Sequence, residues 1–276
     1  MRTKLLLVVM TILVFILVAM LVCGGRERFK LHSHLLSDLR RPKKRSVTVA
    51  VGIPCIPIHL AFLPTVLETI RSQTRRPDEI LVALSSYDGP DGTPEELENA
   101  GIEDLNIRFL NTRAQCYSGH NRNRIAAATT CDVISFMDAD DTMESRRIEL
   151  VAQAFEEYDI EMFLHGYRMS DDRVVEGSKK LPENLPYDFL ETNILASDNH
   201  SDENPLKHVP ITNGHVSVWA EYLRNRKQDQ NNTREEDTVW VVEARRAKVK
   251  EAVLPYVLST WMQEHSSEGR EDDDNL

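Results

Sequence analysis

Val133-Ile134-Ser135-Phe136-Met137-Asp138-Ala139-Asp140-Asp141 is the stretch that decides the fold: an apolar run that stops on three carboxylates within four positions. Residues of that kind form a buried strand, and a helical pattern follows over 145–158. Like charges this close repel one another, and a bound cation relieves the cost. A hard divalent ion such as Mg²⁺ or Mn²⁺ takes oxygen ligands and bridges phosphate oxygens. That suits a diphosphate leaving group, whose developing charge the ion stabilises. The plain alternative is an acidic turn capping the next helix, and the cluster alone leaves the two readings level. An EF-hand is excluded, because the loop position that needs glycine is Met143.

Upstream, the β-branched run 47–53 predicts a strand ended by Pro54. Leu60, Leu63, Leu67 and Ile70 then recur at helical spacing. Further strands are predicted at 79–84 and 106–110, with turn-rich 85–92 between them and a helix at 121–128. Strands alternating with helices imply a mainly parallel central sheet flanked by helices, with ligands at the carboxyl ends of the strands. The Asp cluster stands at such an end.

The chain has 276 residues and a formal net charge of -11, which argues against nucleic acid as the main partner. Its four cysteines form no CxxC pair, so no structural zinc site is expected; whether Cys116 and Cys131 pair stays open. Residues 5–23, after a short tail at 1–4, are almost wholly apolar and long enough to approach a bilayer's thickness. They read as a retained transmembrane signal-anchor rather than a cleaved signal peptide. The basic stem at 24–45 favours a cytosolic globular domain by the positive-inside rule. The sequons at Asn199 and Asn231-Asn232-Thr233 favour a lumenal one, so orientation stays open. The expectation is a single-pass protein of Golgi- or ER-type endomembranes, with a globular domain at 46–265 and an acidic, disordered tail at 266–276.

Several ordered features together resemble family-2-type inverting glycosyltransferases. They are the first strand with its Pro, the Leu-rich helix, Gln73-Thr74-Arg75-Arg76-Pro77, the Glu-Ile-Leu-Val run from Glu79, and Arg122-Asn123-Arg124 ahead of Asp138-Ala139-Asp140-Asp141. The resemblance implies an α/β GT-A (nucleotide-diphospho-sugar transferase) fold and transfer of a sugar from a UDP- or GDP-linked donor to a hydroxyl on a glycan, lipid or protein. It implies a donor site lined by Pro54, Arg122, Asn123, Asp138 and Ala139, and Mn²⁺ or Mg²⁺ held by Asp140 and Asp138 with His265. In the second half, Arg234-Glu235-Glu236-Asp237 resembles the family's Glu-Asp at a helix start, which implies Asp237 as the base with Glu236 beside it. Gly214-His215-Val216-Ser217-Val218-Trp219 stands where the family has an acceptor-side segment. Trp219, Trp240 and Trp261 read as core packing before acceptor stacking.

Two stretches depart from the pattern. After the second strand the chain has Leu84-Ser85-Ser86 where relatives carry acidic residues, with Asp88 and Asp91 as substitutes. The first strand continues as Cys55-Ile56-Pro57 without the usual polar residues. These departures keep alive an alternative, a catalytically inactive binding or scaffold protein on the same fold.

Overall fold

The computed structural model describes residues 39–41, 45–197, 215–229 and 236–262. Contacts divide the chain into Met1–Arg40 and Arg41–Leu276, and the sheet with its flanking helices belongs to the second unit. The expected anchor at 5–23, most of the stem, His265, both sequons and the acidic tail lie outside the described residues.

Strand β1 (Val49–Cys55) is buried along its whole length, as its Val- and Ala-rich sequence requires. It pairs in parallel with β2 (Glu79–Leu84) on one side and β4 (Val133–Phe136) on the other. Strand β3 (Ile107–Asn111) adds in parallel outside β2. Helix α1 (Leu63–Arg71) carries the chain from β1 to β2 and buries Leu63, Val66, Leu67 and Ile70 along one stripe, with Pro in its first turn. Helix α2 (Ser118–Ala128) leads into β4.

Pro54 does not end β1 as expected; the strand runs on to Cys55. The reason is geometric. Pairing with β4 stops at Gly52↔Phe136, so the donor that Pro lacks faces a side where no ladder remains. On the other side, pairing to β2 continues through Cys55↔Leu84.

The second half contributes β5 (Thr142–Met143), α3 (Arg147–Glu157), β6 (Met162–Met169), α4 (Phe189–Asn193), β7 (Leu195–Ser197), β8 (Ser217–Trp219), α5 (Ala220–Asn225), α6 (Glu236–Arg246) and β9 (Glu251–Trp261). All nine strands join one sheet in the order β3-β2-β1-β4-β8-β6-β9-β5, with β7 on β9. Strand β8 runs antiparallel to both β4 and β6, while β6 and β9 are parallel. The architecture is the expected α/β one, parallel across its first four strands.

Two local devices position the site. A Cβ at Gly52 would lie 2.9 Å from Ile125 and 3.0 Å from Phe136, so glycine is what lets α2 settle against β1. The buried Gln73 donates to the carbonyls of Thr69 and Glu144 and accepts from the Ile148 N–H. Thr74 adds bonds to Ser145 and Glu149. The Gln-Thr pair thus ties the end of α1 to the start of α3 and fixes the loop after the Asp cluster.

Among the described residues Cys55, Cys116 and Cys131 are all buried free thiols, so Cys116 and Cys131 are not bridged. No helix among those residues is long and apolar enough to cross a membrane.

Candidate active site

The cluster sits where β4 ends. The Met137 N–H donates to the Gly52 carbonyl, and the turn closes through Asp141 N–H to Asp138 O. Because β8 pairs antiparallel with β4 through Ser135↔Ser217, and Phe136 N–H reaches Val216 O, His215, two residues before β8 begins, arrives beside Asp138. The result is a three-residue group. Ligating atoms of Asp138, Asp141 and His215 all lie within 4.8 Å of one another.

Each member is held from behind. Arg122, 2% exposed, puts its guanidinium 3.1 Å from Asp138 Oδ1. The Met262 N–H donates to Asp141 Oδ1 at 2.8 Å. His215 Nδ1 lies 2.7 Å from Ser259 Oγ, which turns Nε2 toward the carboxylates. Nε2 is 2.8 Å from Asp141 Oδ2 and 3.6 Å from Asp138 Oδ2. It is buried and makes no aligned hydrogen bond. Asp141 and His215 side chains are 3% and 1% exposed, whereas Asp138 is 39% exposed and forms the mouth.

Electrostatics separate Asp138 from Asp140. Burial would raise Asp138, but Arg122 and His215 outweigh it and hold its carboxyl below the usual range. For Asp140 the balance goes the other way: burial, then Asp141 and Asp138, push it up to about 7. Two carboxylates and an imidazole nitrogen without a hydrogen-bond partner fit a divalent ion such as Mn²⁺, which accepts mixed oxygen and nitrogen donors.

The site residues read from sequence fall in different places. Asp138 belongs to the convergent group, while Asp140 stands in the same turn outside it. Arg122 backs Asp138; Asn123 instead clamps the backbone of Gln228, donating to its carbonyl at 2.8 Å and accepting from its N–H at 3.0 Å. Pro54 lies buried in β1 beside Ala83, and Ala139 is buried in the turn. Glu236 and Asp237 open α6, and their side chains lie outside the described residues. His265 lies outside them altogether.

Ser85, in place of the family's acidic residue, is buried and bonded to Cys116 O and Asn121. Asp91 lines a cleft of about 400 Å³ with Tyr87, Asn111 and Arg113 beyond the ends of β2 and β3. Trp219 and Trp240 pack: their indole N–H groups donate to the carbonyls of Ile160 and Arg226.

Sequence reading did not single out Asp141 and His215 as candidate metal-holding residues. Asp141 was visible as part of the cluster. His215 carried no local signal beyond preceding an alternating run.

A model of the glycosyl transferase family 2 domain matches residues 53–207. No curated protein matches the chain. Among solved structures, S. aureus TarS 1-349 in complex with UDP is similar, with a TM-score of 0.56 and 13% identity over 78% of this chain and 60% of that one. The same protein in complex with UDP-GlcNAc gives 0.57 and 13%, over 82% and 60%. The chain therefore spans about 60% of the length of these structures. At this identity the likeness establishes the fold, which is GT-A.

Proposed function

The chain belongs to glycosyl transferase family 2, and we propose from that premise that it moves a sugar from a nucleotide-diphosphate donor to a hydroxyl acceptor with inversion. The observation that carries the reading is the convergence of Asp138, Asp141 and His215 at the carboxyl end of β4. In this reading Asp138, Asp141 and His215 hold Mn²⁺ or Mg²⁺, which when bound supplies charge stabilisation to the leaving diphosphate.

The protein's own groups do the rest. Arg122 keeps Asp138 ionised and fixed. Asn123 locks the Gln228 loop against α2. Asp237, with Glu236 beside it at the start of α6, takes the proton of the attacking hydroxyl. TarS structures hold UDP and UDP-GlcNAc, so UDP-linked sugars lead the donor panel. Residues 5–23 tether the enzyme to a membrane in the same proposal.

Ser85 in place of a carboxylate favours a second reading, a binding protein on an inactive version of the fold. Calorimetric titration of the full-length chain with UDP- and GDP-sugars, with and without Mn²⁺, tests the first. The expected result is metal-dependent binding of one donor, lost in Asp138→Ala, and no transfer in Asp237→Asn despite retained donor binding. Absence of donor binding under every metal condition would move the conclusion to the inactive fold.

A further inference from the structure

Arg147 is 0% exposed, at the first residue of α3, directly behind the carboxylate group. Its guanidinium donates to the carbonyls of Phe136 and His215, the latter at 3.1 Å, to Ser135 Oγ at 3.2 Å and to Met137 Sδ at 3.1 Å. Among the described residues it forms no ion pair, and its Nε is buried without a partner. A buried cation without a touching carboxylate is costly, and a neutral amide would serve as donor to the same carbonyls. The charge therefore needs its own explanation.

That explanation is close by. The charges that act on the buried guanidinium are those of Asp138 and Asp141. The carbonyls it grips belong to the two segments that carry those ligands and His215. Phe136 lies two residues before Asp138, and the other carbonyl is that of His215 itself. We propose that Arg147 is a positioning residue, a fixed internal counter-cation that keeps Asp138, Asp141 and His215 convergent before an ion arrives and limits how tightly the ion is then held. The inference rests on the metal reading of that group.

The sign of the effect separates this role from plain packing. A mere staple, once removed, loosens the ligands and weakens ion binding. A counter-cation, once neutralised, leaves two carboxylates in excess and strengthens it. The test uses the full-length chain, Mn²⁺ alone as probe, and two variants, Arg147→Gln and Arg147→Lys. Free Mn²⁺ is read by its electron paramagnetic resonance signal, and thermal unfolding is followed in EDTA and in Mn²⁺.

The expected result is that Arg147→Gln melts earlier in EDTA, gains more from Mn²⁺ than the wild type, and binds it about tenfold more tightly. Arg147→Lys, keeping the charge, binds Mn²⁺ within about twofold of the wild type. A Gln variant that unfolds cooperatively yet binds Mn²⁺ no more tightly than the wild type overturns the proposal. So does one unfolded in both EDTA and Mn²⁺, because the ion then fails to replace the missing charge. A wild-type chain that binds no Mn²⁺ overturns the metal reading, and this inference with it.

Discussion

The two halves of the sheet reach the same site by different routes. In the first, β1, β2, β3 and β4 lie in parallel, with α1 between β1 and β2 and α2 between β3 and β4, all of them short-range elements that the sequence spells out. In the second, β8 wedges antiparallel between β4 and β6, and β9 joins β6 with bulges around Gly166. The first half delivers Asp138 and Asp141 by chain order. The second delivers His215 by register alone, from 77 residues beyond Asp138 in sequence (215 less 138). A side chain placed by register moves to the other face with a one-residue slip, so the second half is where the site is most easily lost.

Breaking the second half's contribution gives the largest effect. His215→Gln removes the imidazole donor while keeping a polar side chain, and donor turnover should fall by about 100-fold or more, with Mn²⁺ affinity falling in parallel. Steady-state kinetics across a Mn²⁺ series checks this. Unchanged turnover at saturating Mn²⁺ would remove His215 from the ligand set.

The first half is broken by crowding. Gly52→Ala drives a methyl into Ile125 and Phe136, and the chain should lose about 1–3 kcal/mol in denaturant unfolding. Donor affinity should also drop, since Ile125 and Arg122 share α2. A smaller loss, about 1–2 kcal/mol, is expected from Gln73→Ala, which strands the Ile148 N–H in a buried place and leaves the Glu144 carbonyl with the Arg147 N–H alone. Its readout is urea unfolding, and full stability would mean that water replaces the amide.

The gentlest probe is pH. Burial, with Arg147 next, holds His165 well below the usual histidine range, so the folded chain keeps it neutral. The unfolded chain takes up a proton below about pH 6.5, so this residue contributes no change above that value and a loss below it. The loss reaches at most about 1.4 kcal/mol per pH unit until the folded group titrates. His165→Gln should flatten the stability profile between about pH 6.5 and 5.5 by about 1 kcal/mol, measured in EDTA. A profile identical to the wild type's would place His165 outside the acid sensitivity of the fold.

How much was legible divides along the same line. The strands at β1, β2, β3 and β4, the helix stripe of α1 and the Asp cluster could be read because each is a short-range pattern of period or charge. The Gln73-Thr74 pair was readable as a motif, but its work as a tie between α1 and α3 was not, since its partners lie about 70 residues on. The end of β1 was misplaced at Pro54 because a proline's cost depends on whether a neighbouring strand is there to miss its N–H.

By itself the sequence determined the α/β alternation, the carboxylates at a strand end and the family to which the chain belongs, all carried by residues near one another along the chain. Only the tertiary structure decided which of three neighbouring aspartates converge, that His215 joins them, and that Arg147 lies buried behind them. The physical reason is that these choices rest on antiparallel register and on burial, which are settled between segments far apart in sequence and leave no local pattern to read.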